Sequence, residues 1–179
     1  MKKLILLLLI FVSKPALSQE KIMTKTGKIT FEASVPAFEE VKAKTETATC
    51  ILKTATGEIA CLALQKSFKF KLALMEEHYN ENYMESDKFP KATFKGKIED
   101  FNASALTATA KEYTVKGTLE LHGKTKDVTT TAKIRKTDAG TEIITSFKVN
   151  SDDFGIEIPS VVKSKVSKTV SINAEFTLK

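Results

Sequence analysis

Along most of this chain apolar and polar residues alternate one for one. From Tyr113 the residues Tyr113, Val115, Gly117, Leu119 and Leu121 hold one parity, while Thr114, Lys116, Thr118, Glu120 and His122 hold the other. After a Gly123-Lys124-Thr125 turn the alternation resumes with Val128, Thr130, Ala132 and Ile134. A period of two puts successive side chains on opposite faces of a strand, so each run has one wet and one dry face. Ile29, Phe31, Ala33 and Val35 repeat the pattern, as do Phe68, Phe70 and Leu72, then Ala92, Phe94, Gly96 and Ile98. Residues 141–150 and the run Val170, Ile172, Ala174, Phe176, Leu178 close the series. Strands over 42–53 and 58–64 flank the turn signal Thr54-Ala55-Thr56-Gly57.

The period changes once. Between residues 71 and 86, Leu72, Met75, Tyr79 and Tyr83 fall at helical spacing, with Glu76, Glu77, Asn80 and Glu81 opposite. This predicts one amphipathic helix over about 71–86. The remainder is mainly β, about eight strands joined by short turns and therefore largely antiparallel. One-sided strands can pair as two packed sheets or roll into a barrel. Long strands in hairpin succession favour an eight-stranded antiparallel barrel, as a single domain over residues 22–179.

An eight-stranded barrel is just wide enough to be filled by side chains or to hold one slender ligand. The dry positions mix small residues (Gly96, Gly117, Thr130, Ala132, Thr145, Ala174) with large ones (Phe31, Phe68, Phe70, Phe94, Phe147). Two readings follow: a closed core in which large and small interdigitate, or an elongated apolar tunnel. In the second, Phe31, Phe68, Phe70, Phe94, Tyr113, Val115 and Phe147 form the cavity wall, and a long hydrocarbon chain is the fitting occupant. Phe89 and Phe154 read instead as packing points of helix and loop on the barrel.

The first residues are a different material. Lys2 and Lys3 precede the apolar run Leu4 to Val12, and Ala16-Leu17-Ser18 supplies the small residues of a cleavage site. The run is too short to span a bilayer, which takes about 20 residues. Residues 1–18 are therefore expected to be a cleaved signal peptide, which implies a periplasmic or secreted protein with no integral membrane segment in the mature chain. Without Lys2, Lys3 and Lys14 the 28 basic residues fall to 25 against 22 acidic, a charge of +3. Arg135 is the sole arginine, and the lysines are spread over the polar strand faces. Nucleic-acid readers favour arginine, so no nucleic-acid partner is expected.

Cys50 and Cys61 are the only cysteines. If Lys53 pairs with Glu58, Cys50 lands opposite Cys61, close enough for a disulfide. An oxidising compartment would close it. Little else suggests chemistry. His78 and His122 read as surface histidines, no nucleophile elbow, P-loop or HExxH run occurs, and Asp152-Asp153 reads as a turn cap rather than a calcium site. No catalytic residue, metal or cofactor is expected.

Three segments, "SDKFPKATFKGKI", "YTVKGTLELHGKTKDVTTTAKI" and "FKVNSDDFGIEIP", resemble the YceI-like family. The shared features are Phe-Pro-x-Ala-x-Phe at Phe89–Phe94, Gly-x-Leu-x-Leu-x-Gly-x-Thr-x-x-Val at Gly117–Val128, and Asp-Phe-Gly-Ile at Asp153–Ile156. The resemblance implies a lipocalin-like barrel with a helix outside the strands, exported and carrying a polyisoprenoid. It makes the expected partner an isoprenoid or other long-chain amphiphile of quinone or polyprenyl type, held for carriage or sequestration. The runner-up is a non-catalytic envelope stress or partner-binding barrel with a filled core. The family often has an Asp-x-His-Leu-Arg run in the helix; this chain reads "MEEHYNENYM" there, without arginine. The sequence does not set the oligomeric state; a homodimer is compatible with it.

Overall fold

A computed structural model describes residues 20–179; the signal-peptide reading of 1–18 lies outside the described residues. The strands are β1 (Lys21–Ser34), β2 (Lys42–Lys53), β3 (Glu58–Leu64), the two-residue β4 (Lys69–Phe70) and β5 (Lys91–Ile98). They continue as β6 (Lys111–Leu121), β7 (Lys124–Thr137), β8 (Gly140–Asn150) and β9 (Val166–Leu178). All pairings are antiparallel, in the order β1-β9-β8-β7-β6-β5-β3-β2, and β2 returns to β1 to close an eight-stranded barrel. β4 pairs with β2 at Ala43 and Lys44, beyond the point where β3 has left it.

At one end lie the β1–β2 and β8–β9 loops, the β6–β7 turn and the helical segment, which connects β4 to β5. We call this the helix end. The opposite end holds the β2–β3 and β7–β8 turns, the β5–β6 loop and the terminal residues of β9. It is filled by a packed core in which Leu52, Ile98, Ile134 and Leu178 are buried to within 2%. Phe101 and Leu106 of the β5–β6 loop pack onto this core, and Lys136 N–H donates to Thr107 O at 2.8 Å to hold the loop down.

Local chemistry explains several boundaries. Residues His122 and Gly123 both have positive φ, the requirement of a two-residue hairpin turn, and Leu121 pairs directly with Lys124. The turn is thus one residue earlier than the Gly-Lys-Thr spacing suggests. β1 begins at Lys21, well before the Ile29 pattern, because a register shift interrupts its parity. Ile22 and Thr24 face inward before the shift and Gly27, Ile29 and Phe31 after it. β2 shifts opposite, from buried Ala43 and Thr45 to buried Ala48, Cys50 and Leu52. Such a bulge bends both strands. Gly27 sits at the bend because the Phe176 ring lies where a Cβ would be.

The expected helix over 71–86 is shorter and compound: α1 (Ala73–His78) continues into a π-helical turn, Tyr79–Tyr83. Leu72, expected inward, is 42% exposed at the start of α1. The strand expected at "SFKFKL" reduces to β4, with Gln65–Ser67 in a 3-10 turn.

Candidate functional site

Beneath the helical segment the barrel is hollow. A cavity of about 420 Å³ enters between the β1–β2 loop, the helix and the β8–β9 loop, and descends to Ile59, Val115, Ile143 and Phe176 above the packed end. Its volume lies within the range of small-molecule pockets, about 300–1,000 Å³. The filled-core reading therefore describes the lower half of the barrel only.

Phe31, Phe68, Phe70, Phe94, Val115 and Phe147 all line this space, as do the small positions Thr130, Ala132, Thr145 and Ala174. Tyr113 does not: it is buried at the closed end with its ring 6.0 Å from Phe101. Phe154, read as a packing point, is 1% exposed and also forms part of the wall. Phe89 packs edge-on against His122 with ring centroids 4.5 Å apart.

The aromatic wall is a cluster rather than separate rings. Phe31 stacks on Tyr79 at 5.3 Å and meets Phe68 at 5.3 Å and Phe70 at 5.8 Å. Tyr79 thereby ties the helical segment to β1 and β4. Offset and tilted pairs of this kind each add about 0.5–1.5 kcal/mol beyond area burial. Glu76 reinforces the tie, accepting from Lys69 Nζ at 2.5 Å and from Phe70 N–H at 3.3 Å. The Lys69 hydrogen bond holds its carboxyl below the usual range.

Polar groups on the wall fall into two kinds. Most are satisfied: the Thr130 and Thr145 hydroxyls bond each other at 3.1 Å, and Thr145 Oγ1 donates to Thr131 O at 2.9 Å. Two are not. Gln65 Nε2 and Ser151 Oγ are buried without a hydrogen-bond partner, and both residues line the cavity. Leaving such a group unpaired costs about 1–3 kcal/mol. Gln65 is held from behind: its backbone N–H donates to Pro90 O at 2.9 Å, and its Oε1 accepts from Tyr79 O–H at 2.6 Å. Burial pushes the Tyr79 phenol well above its ordinary pKa, so it stays protonated and donating. Sequence reading passed over Gln65 because a lone glutamine between an alternating strand and a lysine carries no periodic signal.

The ionisable side chains Glu39, His78 and Lys165 line the mouth and are themselves exposed. His122, by contrast, is no free surface histidine: its side chain is 12% exposed, Nδ1 lies 3.1 Å from Phe154 O, and Nε2 lies 3.0 Å from Glu85. Both nitrogens are engaged in fixing the β6–β7 turn to the helical segment and the β8–β9 loop. Among the described residues no cluster of three or more metal-ligating side chains occurs.

Cys50 and Cys61 are opposite one another in the β2–β3 register, and Lys53 pairs with Glu58. Both cysteines are thiols in the structure, with sulfurs 2.6 Å apart. The hydrogen bond to Cys61, together with burial, pushes the Cys50 thiol well above its ordinary pKa.

Comparison with known proteins gives a consistent picture. Residues 19–178 match the family model described as the YceI-like domain. Among solved structures, the chain is similar to a polyisoprenoid-binding domain from Saccharophagus degradans implicated in plant cell wall breakdown. That likeness has a TM-score of 0.76 at 15% identity, covering 89% of this chain and 97% of the other. It is also similar to Burkholderia cenocepacia BcnA, with a TM-score of 0.68, 17% identity, and 85% and 94% coverage. For the Campylobacter jejuni YceI protein the values are 0.60, 18%, 81% and 89%. No curated protein matches.

Proposed function

Since the chain belongs to the YceI-like family, we propose that it is an exported carrier that holds a long-chain isoprenoid, of quinone or polyprenyl type, in the upper half of its barrel. The observation that carries this reading is the hollow itself, about 420 Å³ with an almost wholly apolar wall. Cavities with apolar walls take up apolar molecules. Burying a hydrocarbon chain there contributes about 0.8 kcal/mol per CH₂, without any charged partner. The similarity to a domain named for polyisoprenoid binding supports the same ligand class. Export is supported by the leader-like pattern of residues 1–18, with the family match beginning at Gln19. Binding, not catalysis, is the role this wall suits, since its carboxylate, imidazole and ammonium groups stand at the mouth and the hydroxyls of Thr130 and Thr145 are satisfied within the barrel wall.

Native mass spectrometry and organic extraction of freshly purified full chain test the proposal. The expected result is a long-chain lipid released in near-stoichiometric amount. Repeated empty preparations that also take up no added prenyl lipid would overturn it.

A further inference from the structure

The ladder between β7 and β8 stops where the hollow starts. Along the packed end the two strands pair without a break, from Thr137↔Gly140 through Ile134↔Ile143 to Ala132↔Thr145. Toward the helix end both continue, β7 back to Lys124 and β8 on to Asn150, but each is held only by its other neighbour, β6 or β9. Residues 124–131 and 146–150 therefore run beside one another unpaired. The fork is stitched by side chains: Thr145 Oγ1 donates to Thr131 O at 2.9 Å, and Thr130 Oγ1 donates to Ser146 O at 3.2 Å.

Strands also part between β2 and β3, beyond Thr49↔Leu62, but there β4 takes up the free edge of β2 and the Thr45 and Ser67 hydroxyls bond at 2.8 Å. Among the described residues no strand fills the β7–β8 fork. Between its arms, on the outer side of the barrel, lies a cleft of about 600 Å³ lined by exposed polar side chains such as Thr129 and Lys148. Thr130, Phe147, Val149 and Phe154 border this cleft and the hollow alike, so one layer of side chains separates the two spaces. Across the helix end of the cleft Lys126 Nζ stands 3.5 Å from Asp153, both half-exposed. An ion pair in contact with water holds weakly.

Passage between two strands of a closed barrel ordinarily breaks ladder hydrogen bonds and leaves their groups unpaired. Here those bonds are absent along the depth of the hollow. What has to move is the layer of Phe147 and Val149, each partly exposed, and the Lys126–Asp153 contact. The end-on mouth is braced by comparison. Tyr79 of the helical segment clusters on Phe31, Phe68 and Phe70, and His122 engages both Glu85 and Phe154 O.

We propose that the β7–β8 fork is a side portal, through which a long apolar chain passes into and out of the hollow by displacing Phe147 and Val149. This rests on the reading of the hollow as a lipid site and adds the route to it.

The test ties the fork shut reversibly. Thr129 and Lys148 are exposed and would face one another if the register continued. Both are replaced (Thr129→Cys with Lys148→Cys) in full chain that also carries Cys50→Ala and Cys61→Ala. A short bis-methanethiosulfonate bridges the new pair, a mono-functional methanethiosulfonate gives the unbridged control, and reduction releases the bridge. If alanine is not tolerated at positions 50 and 61, the native pair is kept in its oxidised form with the same expectation. The probe is all-trans-retinol, an isoprenoid alcohol whose fluorescence rises in apolar surroundings, mixed with delipidated protein by stopped flow.

In the bridged protein association and release should both slow about tenfold, as for a step that gates access. Kd should not change, because the path does not alter the end states. Reduction should restore both rates, and the mono-functional adduct should keep those of the unbridged protein. Equal rates in bridged and unbridged protein overturn the portal and leave the lipid site standing, as does a bridged protein that loses affinity through faster release alone. Failure of retinol to bind the unmodified protein overturns the lipid-site reading and the portal with it.

Discussion

Gly96 and Gly117 stand opposite one another across β5 and β6, and the Phe94 ring lies over both. A Cβ at Gly96 would sit 2.9 Å from Phe94 Cζ, and one at Gly117 would sit 2.7 Å from it. The pair therefore makes room for an aromatic ring that turns back onto its own strand. The same device recurs where Phe176 covers Gly27. This changes what a glycine on a dry face means. Sequence alone invites the view that small inward residues leave ligand volume; here Thr130, Ala132, Thr145 and Ala174 do border the hollow, while the glycines are seats for phenylalanine. Gly117→Ala should accordingly destabilise the barrel by about 1–3 kcal/mol, the range for inserting a methyl into packed surroundings. Chemical denaturation measures it. Adding Phe94→Leu should recover only the share of the loss due to the ring, because the added Cβ would also crowd Lys95 O and sit 2.6 Å from Gly96 Cα. A single variant within about 0.5 kcal/mol of the parent, the ordinary range for an unconstrained surface site, would show that the Phe94 ring and the paired β5 backbone both give way.

Elements were legible in proportion to how strictly they keep one period. The β2–β3 hairpin is the favourable case: the Thr54–Gly57 turn sets the register, and Leu52↔Ile59 and Cys50↔Cys61 follow from it. β1 is less favourable, because the shift at Gly27 moves the inward set to the other parity and its first six residues look like unpatterned polar chain. The helical segment is similar. A change of period announces it, yet the passage from α1 into the π-turn, closed by Met84 N–H donating to Tyr79 O at 2.8 Å, is a matter of one extra residue that no periodicity of 3.6 can register. The hairpin carries its own prediction. In an oxidising compartment the facing thiols should join, since opposed positions of an antiparallel pair suit disulfide geometry. Attack has to come through the half-exposed Cys61, because Cys50 is buried with its pKa raised by the Cys61 hydrogen bond and burial. Closing so short a loop should add about 3 kcal/mol of stability. Thiol titration of periplasmically produced, denatured protein should find none free, with a lower thermal midpoint after reduction. Two titratable thiols in the oxidised preparation would remove the bond.

At the scale of the whole molecule the barrel divides its labour along its axis. The closed end has the packing of an ordinary core, with Leu52, Ile98, Ile134 and Leu178 all but sealed from solvent. The helix end has a hollow ringed by Phe31, Phe70, Phe147 and their neighbours. Parity identifies which residues point inward but carries no coordinate along the barrel, so Tyr113 and Phe147 look alike in the sequence although one abuts the plug and the other the cavity. Depth is set by strand tilt, loop placement and the helical segment over the hollow, which arise only when the sheet closes. If this division is real, stability and uptake can be separated by mutation. Leu52→Ala removes a side chain surrounded on all sides and should cost about 2–5 kcal/mol, while lipid uptake measured under native conditions stays at the parent level. Phe147→Ala removes a side chain that already borders empty space, so fewer packed contacts are lost and the denaturation midpoint should move less. Its effect should appear in uptake, because the ring is wall surface for the bound chain. A Phe147→Ala variant as unstable as Leu52→Ala, with uptake unchanged, would mean that the helix end is packed in solution and that the hollow is not the working part of the molecule.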